Sequence, residues 1–423
     1  MMIRERIAAF FISLLILLGV FGEDTSEKKQ TAIGAPDLSG VEISDGCTVC
    51  VPARSGTVRF NRISFDYDAS SPVRVIFAYQ KGLRIREEEL LLSEKEKTAT
   101  MLLDGFLERE TASRLISVSF APIVPGSSCT LSVSGFTCDL QAAPGSDVLY
   151  IENDSYRAGV KLKWGGGLYS FVDKKNGHYD NLLNSHDTGR LVQQSYYGPT
   201  EIDGYENGVY GGTVWGYNPV QGGDQYGNTS KLVALETTED QIRVVCRPLD
   251  WALNNVPTQT YYTTVYTLTP NGLTVENTAI DFLQTEWSDR EQEIPAFYTI
   301  SALGTFVFYD GEAPWTDAPL RTEINLEFWA GKPAFSLSEK NSETWCAWTD
   351  DAGYGIGLFT PIATRLLAGR FEYDGTSDPN ANPTNYVAPL GVFRLRFDEP
   401  FTYTCYLTTG TVREIREAFK ALR

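Results

Sequence analysis

Between Asn181 and Gly227 the chain concentrates amide, aromatic, carboxylate and guanidinium side chains. The run Asn-Leu-Leu-Asn-Ser-His-Asp-Thr-Gly-Arg-Leu-Val-Gln-Gln-Ser-Tyr-Tyr-Gly ends at Gly198, and Val-Trp-Gly-Tyr-Asn-Pro-Val-Gln-Gly-Gly-Asp-Gln-Tyr-Gly follows from Val214. A pyranose offers C–H faces that stack on Trp and Tyr, and hydroxyls that need paired donors and acceptors. The composition therefore points to a carbohydrate site. In the first run, His186, Asp187 and Arg190 flank the flexible Gly189, and Arg190 suits a carboxylate or adjacent hydroxyls. An ion pair of Arg190 with Asp187 or Asp224 is the structural alternative, since buried charges are usually paired.

In extended backbone Gln193, Ser195 and Tyr197 share one face and Gln194 and Tyr196 the other, so only one set can line a pocket. The sequence leaves open which, and Tyr196 and Tyr197 are both candidates. The second run is too rich in Gly and Pro for a regular strand and reads as a loop displaying its side chains. Trp215 and Tyr217 are expected to stack on a ring and Asn218 and Gln221 to bond hydroxyls. Asp224 is a candidate acid or base, its alternative being an Asx-type turn that caps nearby backbone.

Four carboxylates follow in Glu-Trp-Ser-Asp-Arg-Glu-Gln-Glu-Ile-Pro-Ala-Phe-Tyr: Glu286, Asp289, Glu291 and Glu293. Glu293 immediately precedes the apolar Ile294–Tyr298 and is expected to be the most desolvated, with a raised pKa. Glycoside hydrolysis uses one protonated and one ionised carboxylate. Asp224 with Glu293 is the leading pair, with Asp187 in reserve and His186 a further candidate. A polysaccharide lyase would use Tyr or His as base and Arg190 to neutralise a uronate. A glycan-binding protein without catalysis is the third reading.

These residues sit among short alternating runs. Thr57-Val-Arg-Phe, Val73-Arg-Val-Ile-Phe-Ala-Tyr and Leu115-Ile-Ser-Val-Ser-Phe read as a small β-sandwich over 40–140. The charged stretch Arg84–Lys97 is expected to be a helix or a long loop. Asp139–Asp147 breaks the pattern, and strand-like runs resume at Val148 and continue to Phe401-Thr-Tyr-Thr-Cys-Tyr-Leu. Only Val412–Arg423 has helical spacing, with Val412, Ile415, Phe419 and Leu422 on one stripe. An all-β fold is expected, its larger part spanning 148–423 with a short C-terminal helix.

The order of the Gly-rich hairpin Trp164–Gly177, then Asn181-Leu-Leu-Asn, Gly189-Arg190 and the strand pair Tyr262–Glu276 resembles the galactose-mutarotase-like supersandwich superfamily, over roughly 148–410. That superfamily includes sugar epimerases and domains of glycosidases and polysaccharide lyases. The resemblance implies a sugar on the concave face of a sheet, and no single reaction. Mutarotases use a His acid, a Glu base and a His-Gly-Gly motif; this chain has only His178 and His186, and lacks the motif.

Residues 1–22, with an apolar run from Ala8 to Leu18 and small residues before Glu23, read as a secretory signal, too short for a comfortable span of ~20 residues. A polar tether is expected over 23–39. The formal net charge is −18; losing Arg4, Arg6 and Glu5 with the signal leaves −19. Nucleic acid is an unfavourable partner for such a chain. A polysaccharide or oligosaccharide is the expected ligand, neutral ones being favoured, outside the cytoplasm and with no membrane span once the signal is cleaved. Among seven Cys, Cys129–Cys138 is expected to bridge a hairpin, and Cys47-Thr-Val-Cys50 has no matching second pair for zinc. No cofactor is expected; Asp374-Gly-Thr-Ser-Asp378-Pro-Asn380-Ala-Asn382 is the one oxygen-rich loop that suits Ca²⁺, with spacing unlike an EF-hand.

Overall fold

A computed structural model describes residues 38–44, 49–52, 59–324, 326–327, 334–337 and 343–423. The signal at 1–22 and Cys47 lie outside the described residues, and of the tether placed at 23–39, residues 38 and 39 already belong to a strand. The fold is all-β with one short C-terminal helix, as the alternating patterns lead one to expect.

The first eight strands form two four-stranded antiparallel sheets. One runs Leu38–Ser44, Ser128–Asp139, Arg62–Ala69, Thr98–Leu102, and the other Val49–Pro52, Arg114–Pro122, Val73–Lys81, Arg84–Leu92. Alternate residues such as Ile63, Phe65, Val75, Phe77, Val118 and Leu131 fill the space between them. The helix-or-loop expectation for Arg84–Lys97 is corrected: Arg84–Leu92 pairs residue by residue with Val73–Lys81 across a turn in which Gly82 takes a φ of 60°. Arg84, Arg86 and Glu87 are exposed near the turn, while Glu88, Leu90 and Leu92 are buried. The Cys129–Cys138 bridge is also corrected. Both residues lie on the single strand Ser128–Asp139 as free thiols, roughly 30 Å apart at ~3.3 Å per residue.

Of the remaining strands, Val148–Glu152, Tyr156–Lys161 and Gly167–Asp173 form a three-stranded sheet, Gly208–Tyr210 and Thr213–Trp215 a hairpin, and the rest two large stacked sheets. A seven-stranded sheet runs Leu249–Asp250, Pro219–Val220, Gln193–Ser195, Arg290–Ile300, Thr384–Phe393, Arg365–Phe371, Ala334–Ser336. The nine-stranded sheet runs from Lys231–Thr237 through Gln241–Arg247, Thr260–Thr269, Gly272–Asp281 and Phe401–Thr411 to Arg321–Ile324. Phe297, Leu366 and Val387 from the first meet Val244, Tyr266, Ile356 and Leu407 from the second in the main core. Across the nine-stranded sheet, Val233, Tyr261 and Phe282 belong instead to the core of the N-terminal sandwich. At that junction Lys231 pairs with the buried Glu88, which also accepts from Tyr79, and lies 3.3 Å from Asp104; Arg247 lies 2.9 Å from Glu89. The layers are therefore sandwich, nine-stranded sheet, core and seven-stranded sheet, whose far face is left for a site.

The helix Val412–Lys420 starts at a capping box in which Thr411 and Glu414 satisfy each other's backbone N–H. Ile415 and Phe419 are buried against Trp345 and Phe359. The apolar stripe ends there; Leu422 lies past the helix and is exposed.

Candidate functional site

The far face of the seven-stranded sheet carries a cavity of about 450 Å³, within the ~300–1,000 Å³ usual for small-molecule sites. Its floor is set by strand parity. Gln193, Ser195 and Tyr197 line the cavity, while Gln194 and Tyr196 point into the core and bond there, Tyr196 Oη to Gln194 and Gln194 to Thr263 and Thr264. Tyr196 is thereby corrected as a substrate contact: the same alternation that exposes Tyr197 buries it.

Glu293 reaches the same floor through an irregularity. In strand Arg290–Ile300 the register to the strand after it shifts between Glu293 and Phe297, so one extra residue changes which side chains point outward. Glu293, Ala296 and Tyr298 therefore all face the cavity, which strict alternation forbids. Glu293 is 5% exposed. Its Oε1 accepts from Tyr197 Oη at 2.7 Å and from Tyr386 Oη; Oε2 takes no hydrogen bond among the described residues. Burial pushes the Glu293 carboxyl above the ordinary glutamate value, and the hydroxyls of Tyr386 and Tyr197 pull it back in part. Burial and then Glu293 raise both phenols well above 10. The phenols are therefore donors, and burial favours the protonated glutamate more than water would.

Aromatic side chains make the walls. Tyr298 and Tyr386 lie 4.8 Å apart between ring centres, and Tyr210 meets Trp215 and Trp251 edge to face, each at 5.4 Å. Tyr210 and Trp215 come from a hairpin, Gly208–Tyr210 with Thr213–Trp215, that rises beside the sheet. Asn218 lines the cavity, and its amide also holds Tyr196 O at 2.8 Å and Trp215 Nε1 at 3.1 Å. Gln193 lines it too, although Gly189 O and Gly222 N engage both ends of its amide.

Asp187 and Arg190 sit at the rim. Arg190 Nε is 3.3 Å from Asp187, its Nη2 donates to Asn382 Oδ1 at 2.9 Å, and its Nη1 to Asn382 O. The guanidinium charge is thus already matched by Asp187, which also caps Gly189 N. Burial, then Glu293 and Asp187, push the Tyr298 phenol up while Arg190 opposes them, so all four groups share one electrostatic environment.

Several expected site residues lie elsewhere. Asp224 is corrected as an acid or base: it is wholly buried and accepts from Tyr226 N, Asn228 N, Asn228 Nδ2 and Asn255 N. It is the Asx-type organiser of its loop. Tyr217 packs in an inner aromatic cluster, its hydroxyl bonded to Gln259 N and Thr260. Gln221 is fully buried, bridging Gln194 N and Gly165 O. His186 is exposed outside the cavity with Nδ1 2.6 Å from Asn380 O. Each serves the backbone because the Gly-rich loops around it need side-chain partners for their own N–H and C=O groups.

The 374–382 loop spends its carboxylates in turns, Asp374 on Thr376 N and Asp378 on Asn380 N. Among the described residues no group of three or more His, Cys, Asp or Glu gathers as a metal site, and no helix is long and apolar enough to cross a membrane.

Sequence reasoning missed Tyr298, Tyr386, Trp251, Tyr210 and Phe371, all of which line the cavity. A signal existed for Tyr386: with Ala388 and Leu390 it shares a face of strand Thr384–Phe393.

No protein-family model and no curated protein matches the chain. Similar solved structures include a galactose mutarotase-like protein from Lactobacillus casei ATCC 334, 12% identical, covering 62% of this chain and 99% of that one at a TM-score of 0.38. A galactose mutarotase related enzyme from Lactobacillus acidophilus is 12% identical over 62% of this chain and 97% of that one, at 0.40. The 4-alpha-glucanotransferase from Thermococcus litoralis is 12% identical over 62% of this chain and 37% of that one, at 0.32. At these values the likeness carries no argument about what this chain does.

Proposed function

We propose that the protein is an exported carbohydrate-active enzyme that hydrolyses a glycosidic bond with Glu293 as the acid. One observation carries the reading: a buried, pKa-raised carboxyl lies in a cavity walled by Tyr and Trp, with one oxygen held by two tyrosine hydroxyls. Stacking aromatics favour a sugar ring. A protonated Glu293 delivers its proton to the glycosidic oxygen as the bond from that oxygen to the anomeric carbon breaks. Water adds its hydroxyl to that carbon and gives its proton to Asp187, the other carboxylate of the cavity. Solvent exchange then returns a proton to Glu293 and removes one from Asp187. The apolar leader at 1–22 supports export.

A lyase is less well supported, because the Arg190 charge is already matched. A sugar-binding protein without catalysis is the second reading, favoured by the tie of Asp187 to Arg190 and Gly189. The test is a panel of neutral and acidic polysaccharides and oligosaccharides, scoring reducing ends and ultraviolet-absorbing products in parallel, with wild type and Glu293→Gln. Hydrolysis predicts a loss of roughly 10²–10⁴-fold in the variant with binding retained. Turnover unchanged in a folded Glu293→Gln protein sinks the assignment. Binding without products supports the second reading.

A further inference from the structure

The cavity does not end at Trp215. A second, more open cleft of about 650 Å³ begins on its other side, and Tyr197 and Trp215 line both spaces. These two rings meet edge to face at 6.0 Å and form the shared wall. The cleft adds Thr200, Val214, Ser288 and Arg290, a mixture of hydroxyl, apolar and cationic groups that suits a sugar as well as the first cavity does.

Its floor is preformed. Gly198 N donates to Tyr217 O at 2.7 Å and Tyr217 N to Pro199 O at 3.0 Å. A side chain on Gly198 would meet Tyr217 O at 2.8 Å, and one on Gly216 would meet Pro199 O at 2.9 Å, so only glycine allows these segments to touch. Below them Tyr217 packs edge to face on Trp287 at 5.8 Å, and Trp287 Nε1 donates to Asp281 at 3.0 Å. Arg290 is held against the floor by Gly198 O, 3.1 Å from its Nη1, and by Ser288 Oγ.

We propose that the two spaces form one binding path for a glycan of at least two units, one ring over Glu293 and the next in the cleft beyond Trp215. The inference rests on the sugar-site reading above and adds a second subsite to it.

The test is calorimetric titration of Glu293→Gln protein, to prevent turnover, with mono- to tetrasaccharides of β-1,4-linked glucose, mannose, xylose and galactose. The same series is run in Glu293→Gln carrying Ser288→Trp, which fills the cleft from an exposed position without touching the first cavity. The expected result is an affinity gain of about tenfold or more from one unit to two in one series, which is ~1.4 kcal/mol. Ser288→Trp should cancel that gain and leave monosaccharide binding unchanged. Thr200→Trp, also exposed, serves if Ser288→Trp fails to fold. Equal affinity for one and two units, or a gain that survives both blocking variants, overturns the second subsite alone. Failure of every series to bind overturns the sugar-site reading and the subsite with it.

Discussion

Asp281 ends strand Gly272–Asp281 and is fully buried, its carboxylate oxygens accepting from Thr260 Oγ1 at 2.7 Å, Trp287 Nε1 at 3.0 Å and Leu283 N at 3.3 Å. Burial dominates these hydrogen bonds and pushes the carboxyl from 3.8 up to about 7. The native state therefore keeps a proton that the unfolded chain has already released. Stability from this group is complete below pH ~4 and is lost as pH rises toward and through about 7. At about 1.4 kcal/mol per pH unit the interval is worth roughly 4 kcal/mol, a large share of the ~5–15 kcal/mol of a typical domain. Asp281→Asn removes the titration while leaving an oxygen for Trp287 and Leu283 and an amide that Thr260 can accept. Urea unfolding of both proteins from pH 4 to pH 8 isolates the effect, because every other titrating group cancels in the difference. The variant should gain on wild type by up to roughly 4 kcal/mol across that range. A difference that stays flat with pH refutes the reasoning.

Two further outcomes follow from the site. Tyr386→Phe removes a hydrogen bond that lowers the Glu293 pKa, so the carboxyl holds its proton to higher pH and the alkaline limb of a pH–rate profile should move upward. A limb that moves downward would mean that Tyr386 acts otherwise. Gly222→Ala would place a methyl 2.0 Å from Thr188 O and 2.8 Å from Gln193 Oε1; because backbone must shift, a loss of about 1–3 kcal/mol is expected in denaturant unfolding, with weaker sugar binding through the displaced Gln193.

Much of the architecture was legible because its cause is local. Alternating runs make strands, and the pattern Thr411 to Phe419 makes a capped helix. The pairing of Tyr197 with Gln193 on one face is likewise a matter of parity, and the buried position of Glu293 could be read from the apolar residues after it. What escaped depends on long-range facts. Asp224 and Gln221 have the chemistry of site residues, yet they complete the hydrogen bonds of loops whose paths the sequence does not reveal. Tyr298 joins Glu293 only because of the register shift between them, and a period-two reading puts them on opposite faces. Tyr386 comes from a strand some ninety residues on, and nothing local ties it to Glu293.

The junction between the N-terminal sandwich and the nine-stranded sheet has a practical consequence. Val233, Tyr261 and Phe282 are buried there by the sandwich, and Lys231 is neutralised by Glu88 across the same contact. A truncation that begins near Val148 would lay bare an apolar sheet face and strand a lysine without its counter-charge. Such a fragment should be sticky and short-lived in solution, even though it retains every residue of the cavity. The sandwich thus acts as a built-in solubilising cover for the sheet behind the site, and screens for minimal active fragments would do best to keep it.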